Sequence, residues 1–213
     1  MSKISFFNNE KATITCMVQA DNPLRIKELI GKSLPQGAEA FGIQFEQMKG
    51  CYRKKEVYED LFGNTGDKPV YVTNYRSAQN EGKSDDILAD ELNELAECGA
   101  DLCDVMGDIF DKQPDEITYD DFAVKKQKDL IERLHNSGAN VLMSSHIYKF
   151  TPAEAVLKIA MEHQKRGADI SKIVVGAENM EQQIENLRII NLLKQTLDIP
   201  FLFLSGGECR ILR

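Results

Sequence analysis

The stretch Gly167-Ala168-Asp169-Ile170-Ser171-Lys172-Ile173-Val174-Val175 packs a helix end, a tight turn and a buried strand into nine residues. It follows a charged amphipathic segment, 152–166, and opens with glycine, which ends helices in the left-handed conformation. A β-branched run comes next. The same sign recurs at Gly37-Ala38-Glu39, Gly99-Ala100-Asp101 and Gly138-Ala139-Asn140, each again between an amphipathic segment and a short apolar run. Three further apolar runs, after residues 11, 68 and 199, lack the glycine. Seven strands are therefore predicted, starting near residues 12, 41, 69, 101, 140, 171 and 200. Helical periodicity is predicted over 21–33, 84–98, 119–135, 152–166 and 180–197. Thr151-Pro152 marks the start of the fourth helix, with proline where its missing N–H costs nothing.

Strand and helix alternate at roughly 30 residues per unit, the rhythm of a (β/α)8 TIM-type barrel. A doubly wound sheet alternates in the same way but usually carries a glycine-rich phosphate turn after its first strand. Here that turn reads Val18-Gln19-Ala20-Asp21-Asn22-Pro23-Leu24. The expectation is thus an α/β barrel, one domain over 1–213, with seven βα units and the eighth missing. An open barrel exposes strand edges. Either further sequence completes it, or another chain, as in a homodimer, covers the gap.

Composition narrows the function. The chain has 213 residues, 42% of them hydrophobic and 28% charged, enough for a packed core. A formal net charge of −8 argues against nucleic-acid or anionic-membrane partners and leaves room for a small anionic substrate only where basic residues are concentrated. Five cysteines, with no C-x-x-C pair and no zinc spacing, read as reduced thiols of a cytoplasmic protein.

In a barrel, chemistry stands at the C-terminal strand ends. Lys172 lies inside a β-branched run and, with period two, shares a face with Val174 opposite Ile173 and Val175. A lysine desolvated there loses its proton more readily, and its neutral amine can attack a carbonyl. A solvated lysine at the strand mouth is the alternative. His146 ends the fifth strand, one strand away, and an imidazole there can move protons near neutral pH. His135 and His163 fall within helices beside charged neighbours and read as solvated. Arg76 and Arg213 follow strands, where a guanidinium either clamps a carboxylate or forms a surface ion pair.

Four segments, taken in order, resemble the type I 3-dehydroquinate dehydratase family. They are Pro69 to Ala78, ending in Arg76 and leading to Glu81-Gly82; Ser144-Ser145-His146 with Thr151-Pro152; Gly167 to Val174 around Lys172; and Ser205 to Arg213. The resemblance implies a dehydratase that converts 3-dehydroquinate to 3-dehydroshikimate through an imine on Lys172. It implies that His146 is first the base and then the acid, with no metal and no organic cofactor. It assigns the carboxylate of the substrate to Arg213, and the hydroxyls and the loop to Arg76. A glutamate that orients the histidine matches Glu81, although Asn80 holds the family's spacing.

Two motifs depart from the family. Its second strand carries Glu-x-Arg-x-Asp, where this chain has Gln44-Phe45-Glu46-Gln47-Met48. Gln44 and Glu46 are then the candidate substrate contacts. Its fourth strand offers two acids, of which Asp104 remains. A lysine-dependent, aldolase-like lyase acting on another polyhydroxy ketone, and a non-catalytic relative that binds a metabolite, are the competing expectations.

Overall fold

The structure, a computed structural model, describes residues 5–7 and 12–210. Among the described residues, seven parallel strands follow one another in chain order through one sheet, with helices between them. This is the connectivity of a (β/α)8 barrel with seven strands present. The residues divide into two compact units. The first runs to Asp104 and includes Arg133–Asn140; the second takes Val105–Glu132 and the chain from Val141 onward.

The first unit is built from β1 (Thr15–Val18), α1 (Pro23–Ser33), β2 (Ala40–Gln44), α2 (Lys55–Gly63), β3 (Val70–Thr73) and α3 (Asp85–Glu97). β4 (Leu102–Met106) and α4 (Asp121–Asn136) carry the chain onward. The second unit holds β5 (Asn140–His146), α5 (Ala153–Arg166), β6 (Ile170–Gly176), α6 (Met180–Thr196) and β7 (Phe201–Gly206). β1 begins three residues after its expected start, and every other strand within one residue of it. Only α2 is absent from the expected helices. Its nine residues carry buried Tyr58, Leu61 and Phe62 at helical spacing, but in a segment too short for periodicity to stand out.

The recurring Gly-Ala-acid motif has a physical reason at both ends. Gly167 takes φ +102° and donates its N–H to the carbonyl of Gln164, closing α5 in a conformation that a side chain would strain. Gly37, Gly99 and Gly138 take the same region. The acid then pins the next strand to the one before it. Glu39 Oε2 accepts the Ile14 N–H at 2.9 Å, Asp101 Oδ2 accepts that of Val70 at 2.7 Å, and Asp169 Oδ2 accepts that of Val141 at 2.7 Å. In return the acid's own N–H donates to the carbonyl of the same partner. Each pair satisfies an N–H at the N-terminal end of a parallel strand, and so helps to set the register.

In the second unit, Ile173, Val175 and Phe203 pack with Val156 and Ile159 of α5 and Ile189 and Leu193 of α6. Each such fully buried side chain stabilises by about 1.5–3 kcal/mol. This face of β6 is the helix side, so the parity of the strand turns Lys172 the other way. In the first unit, Phe45 packs edge-on against Tyr58 and Phe62 of α2. His163 departs from expectation: it lies on the inward face of α5, fully buried and not solvated. His135 is exposed, as expected. Among the described residues, no helix is long and apolar enough to cross a membrane.

Candidate active site

β5 and β6 run in register, with Ser144 beside Lys172 and His146 beside Val174. Ser144, His146, Lys172 and Val174 therefore share the face opposite the helices. Lys172 and His146 stand one strand apart and two residues apart along it. This separates their backbones by about 8 Å, within reach of a lysine side chain.

His146 is held from one side by a residue that the sequence did not single out. Glu116 Oε2 lies 2.8 Å from His146 Nδ1 and accepts the His146 backbone N–H at 2.8 Å. A carboxylate at Nδ1 fixes the ring as the Nδ1–H tautomer and assigns proton exchange to Nε2. The ring of Tyr148 stacks on that of His146, with centroids 5.9 Å apart and planes inclined by 16°. Glu116 lies in the irregular segment between β4 and α4, which has no repeat or periodicity to announce it. The one available signal was a run of acids, Asp111, Asp115 and Glu116, before the histidine strand.

The first unit assembles a separate polar cluster. Asp104 Oδ2 accepts hydrogen bonds from the hydroxyls of both Tyr71 and Tyr75. Burial holds the Tyr71 hydroxyl well above the ordinary phenol range, and the neighbouring Asp104 carboxylate adds to this. Glu46 is buried and accepts the Thr73 hydroxyl at 2.8 Å. Gln44 is hydrogen-bonded to Gln19. Arg76 forms a two-pronged pair with Asp85 at the start of α3, at 2.7 and 2.8 Å. Glu81 is exposed at the end of a single 3-10 turn, Ala78–Asn80. Asn80 is buried, and its amide is shared among Asn74, the Tyr75 carbonyl and Arg53. Arg213 lies outside the described residues. Among those residues no group of three or more His, Cys, Asp or Glu side chains comes together as a metal site.

Glu46 gives a pH dependence. Burial raises its pKa above the ordinary 4.5, with hydrogen bonds from backbone N–H groups and Thr73 opposing and Asp104 adding to the rise. The native state then keeps the proton to higher pH than the unfolded chain does. Its share of stability is present below the unfolded value and is lost as pH climbs through the raised folded value. A carbon-13 titration of the Glu46 carboxyl is expected to show a midpoint above 4.5; a midpoint at or below that value contradicts this assignment.

The type I 3-dehydroquinase family model matches residues 14–210. The chain belongs to the type I 3-dehydroquinase family. A 3-dehydroquinate dehydratase of Syntrophotalea carbinolica is 29% identical over 177 residues, 78% of this chain and 64% of that protein. One from Alkaliphilus oremlandii is 31% identical over 173 residues, 78% of this chain and 61% of that protein. The chain thus spans somewhat less than two thirds of the length of these relatives. Among solved structures, the 3-dehydroquinate dehydratase of Geobacillus kaustophilus superposes with a TM-score of 0.78 at 15% identity, covering 95% of this chain and 76% of that one. The type I enzyme of Clostridium difficile, solved with covalently modified comenic acid, gives 0.75 at 20% identity, covering 93% and 77%. At these identities the two structures speak for the shared type I 3-dehydroquinase fold.

Proposed function

We propose that this chain dehydrates 3-dehydroquinate to 3-dehydroshikimate through an imine on Lys172. The observation that carries this is the Glu116–His146 pair at 2.8 Å, on the sheet face that also bears Lys172. Family membership supports the substrate, and the strand parity supports the pairing of amine and imidazole.

The Lys172 amine adds to the C3 ketone and water leaves, giving a protonated imine. That cation draws electrons from C2, and His146 Nε2 takes the C2 proton to form an enamine. The electron pair returns to expel the C1 hydroxyl, which receives its proton from His146 and departs as water. A second water then cleaves the imine, releasing the enone product and the amine. Glu116 stabilises the imidazolium that forms between the two proton transfers, and it keeps Nε2 pointed at the substrate. Arg76 and Arg213 are proposed for the substrate hydroxyls and carboxylate, with Gln44 and Glu46 as further contacts and no cofactor.

One observation favours a neighbouring substrate. Glu46 stands in the segment where the family carries an arginine, and here that position offers a buried carboxyl bonded to Thr73. A less anionic polyhydroxy ketone would suit it, with the same imine chemistry. Assaying both substrate types through the ultraviolet absorbance of the enone product separates the two readings.

Glu116→Gln is expected to lower kcat on 3-dehydroquinate by about 10²-fold with little change in KM, because the ring loses its orientation and its counter-charge. Unchanged kcat would remove Glu116 from the mechanism. No turnover by the unmodified chain would remove the dehydratase reading itself.

A further inference from the structure

We propose that His163 is a positioning residue for the proton-transfer pair. It acts as a neutral imidazole between Ser145 and Ser171, on the helix side of the sheet, and holds the Glu116 backbone where its carboxylate meets His146. The proposal rests on the reading of His146 and Glu116 given above.

His163 is wholly buried, with Nε2 3.1 Å from Ser145 Oγ and Nδ1 2.9 Å from Ser171 Oγ. Ser145 Oγ in turn donates to the Glu116 carbonyl at 2.6 Å. A carbonyl only accepts, and a hydroxyl has one proton. Ser145 must therefore accept from His163, which places the ring proton on Nε2. In the neutral ring proposed here, Nδ1 is then the acceptor for the Ser171 hydroxyl. The chain of donors runs one way: Ser171 to His163, His163 to Ser145, Ser145 to Glu116. Its two serines immediately precede Lys172 and His146 in sequence, so the relay ties together the backs of the two strands that carry the chemistry.

Glu116 needs such a hold. Its φ is +46°, a left-handed conformation that a non-glycine residue adopts only at a steric cost. Strain of this kind persists only where the surroundings over-determine it. The two ends of the segment are fixed by other groups. Arg166 donates to the carbonyls of Gly107 and Thr118, and Gln127 donates to that of Gly107. The Asp115–Lys149 pair is exposed and adds little. Gly107 shows how closely the relay is packed. A Cβ at that position would lie 2.5 Å from the Glu116 carbonyl oxygen, 2.8 Å from Ser145 Oγ and 3.2 Å from His163 Nε2. Three members of the relay converge on a space that admits no methyl group.

A purely packing role for His163 would be met equally by methionine, which is similar in size and has no ring proton. His163→Met and Ser145→Ala are therefore compared with the unmodified chain by nitrogen-15 spectra of the histidine rings, by kcat and KM on 3-dehydroquinate, and by borohydride trapping. The unmodified chain should show His163 as the Nε2–H tautomer. Both variants should keep the trapped adduct and the KM, lose about tenfold in kcat, and show a shifted His146 Nδ1 resonance. An Nδ1–H tautomer of His163 overturns the proposal, as does a folded His163→Met with unchanged kcat and unchanged His146 resonance. Should His163→Met fail to fold, Ser145→Ala decides by the same criteria. Should the unmodified chain fail to turn over 3-dehydroquinate, the functional reading falls by itself. The His146 resonance then still decides for or against His163.

Discussion

Lys172→Met is expected to abolish both turnover of 3-dehydroquinate and the borohydride-stable adduct, with a loss in kcat on the order of 10⁴-fold or more. The size follows from the role. Without the amine no imine forms, and the C2 proton faces only the weak pull of a neutral ketone, so His146 has no acidified hydrogen to remove. Methionine matches the stem of the lysine, so the sheet face around Ser144 and Val174 keeps its packing. Lys172→Arg should fail equally, because a guanidinium does not give up its proton to become a nucleophile. Peptide mapping of the trapped, unmodified chain should place the added mass on the peptide containing Lys172. Residual adduct in Lys172→Met, or mass on another lysine, sinks the assignment.

His146→Ala separates the two halves of the chemistry. The base acts after condensation, so the variant should still be trapped by borohydride while kcat falls by about 10²–10⁴-fold. Mass spectrometry of the variant mixed with substrate should show the imine accumulating. The side-chain contact of Glu116 with the ring is lost in this variant, but its bond from the His146 backbone N–H remains. The loss should therefore report the missing base rather than a collapsed loop. Full turnover in His146→Ala would assign proton transfer elsewhere. Loss of the trapped adduct along with turnover would mean that the ring helps form the imine and does not act only after it.

Much of this architecture could be read before any coordinate. The glycine that ends a helix and the short turn into the next strand are local events, settled by residues close in sequence. That is why the strand starts after Gly37, Gly99, Gly138 and Gly167 fall within one residue of expectation. Strand parity is equally local, and it sufficed to set Lys172 opposite Ile173 and Val175. The helix α2 escaped because nine residues give too few turns for a periodic signal.

Glu116 escaped for a different reason. The resemblance pointed to Glu81, in the strand-three loop, as the glutamate that orients the histidine, and nothing local pointed to Glu116, whose carboxylate is hydrogen-bonded to the ring. Glu116 is 30 residues before His146, in a segment without period, and its position depends on a left-handed φ. His163 shows the same limit in reverse. Its charged sequence neighbours suggested a solvated ring, yet α5 turns that one position inward among Ser145, Ser171 and Gly107.

The chain alone therefore settles the alternation of strands and helices, the ends of the helices that lead into Gly99, Gly138 and Gly167, and the face of its strand that Lys172 shares with Val174. These depend on dihedral preferences and on periods of two and 3.6 residues, which are written in short windows. Which carboxylate meets the imidazole, which nitrogen of His163 carries its proton, and which loop is drawn against β5 depend on groups distant in sequence being brought within 3.2 Å of one another. Tertiary packing does that, because hydrogen bonds in a buried network are selected together and not one residue at a time.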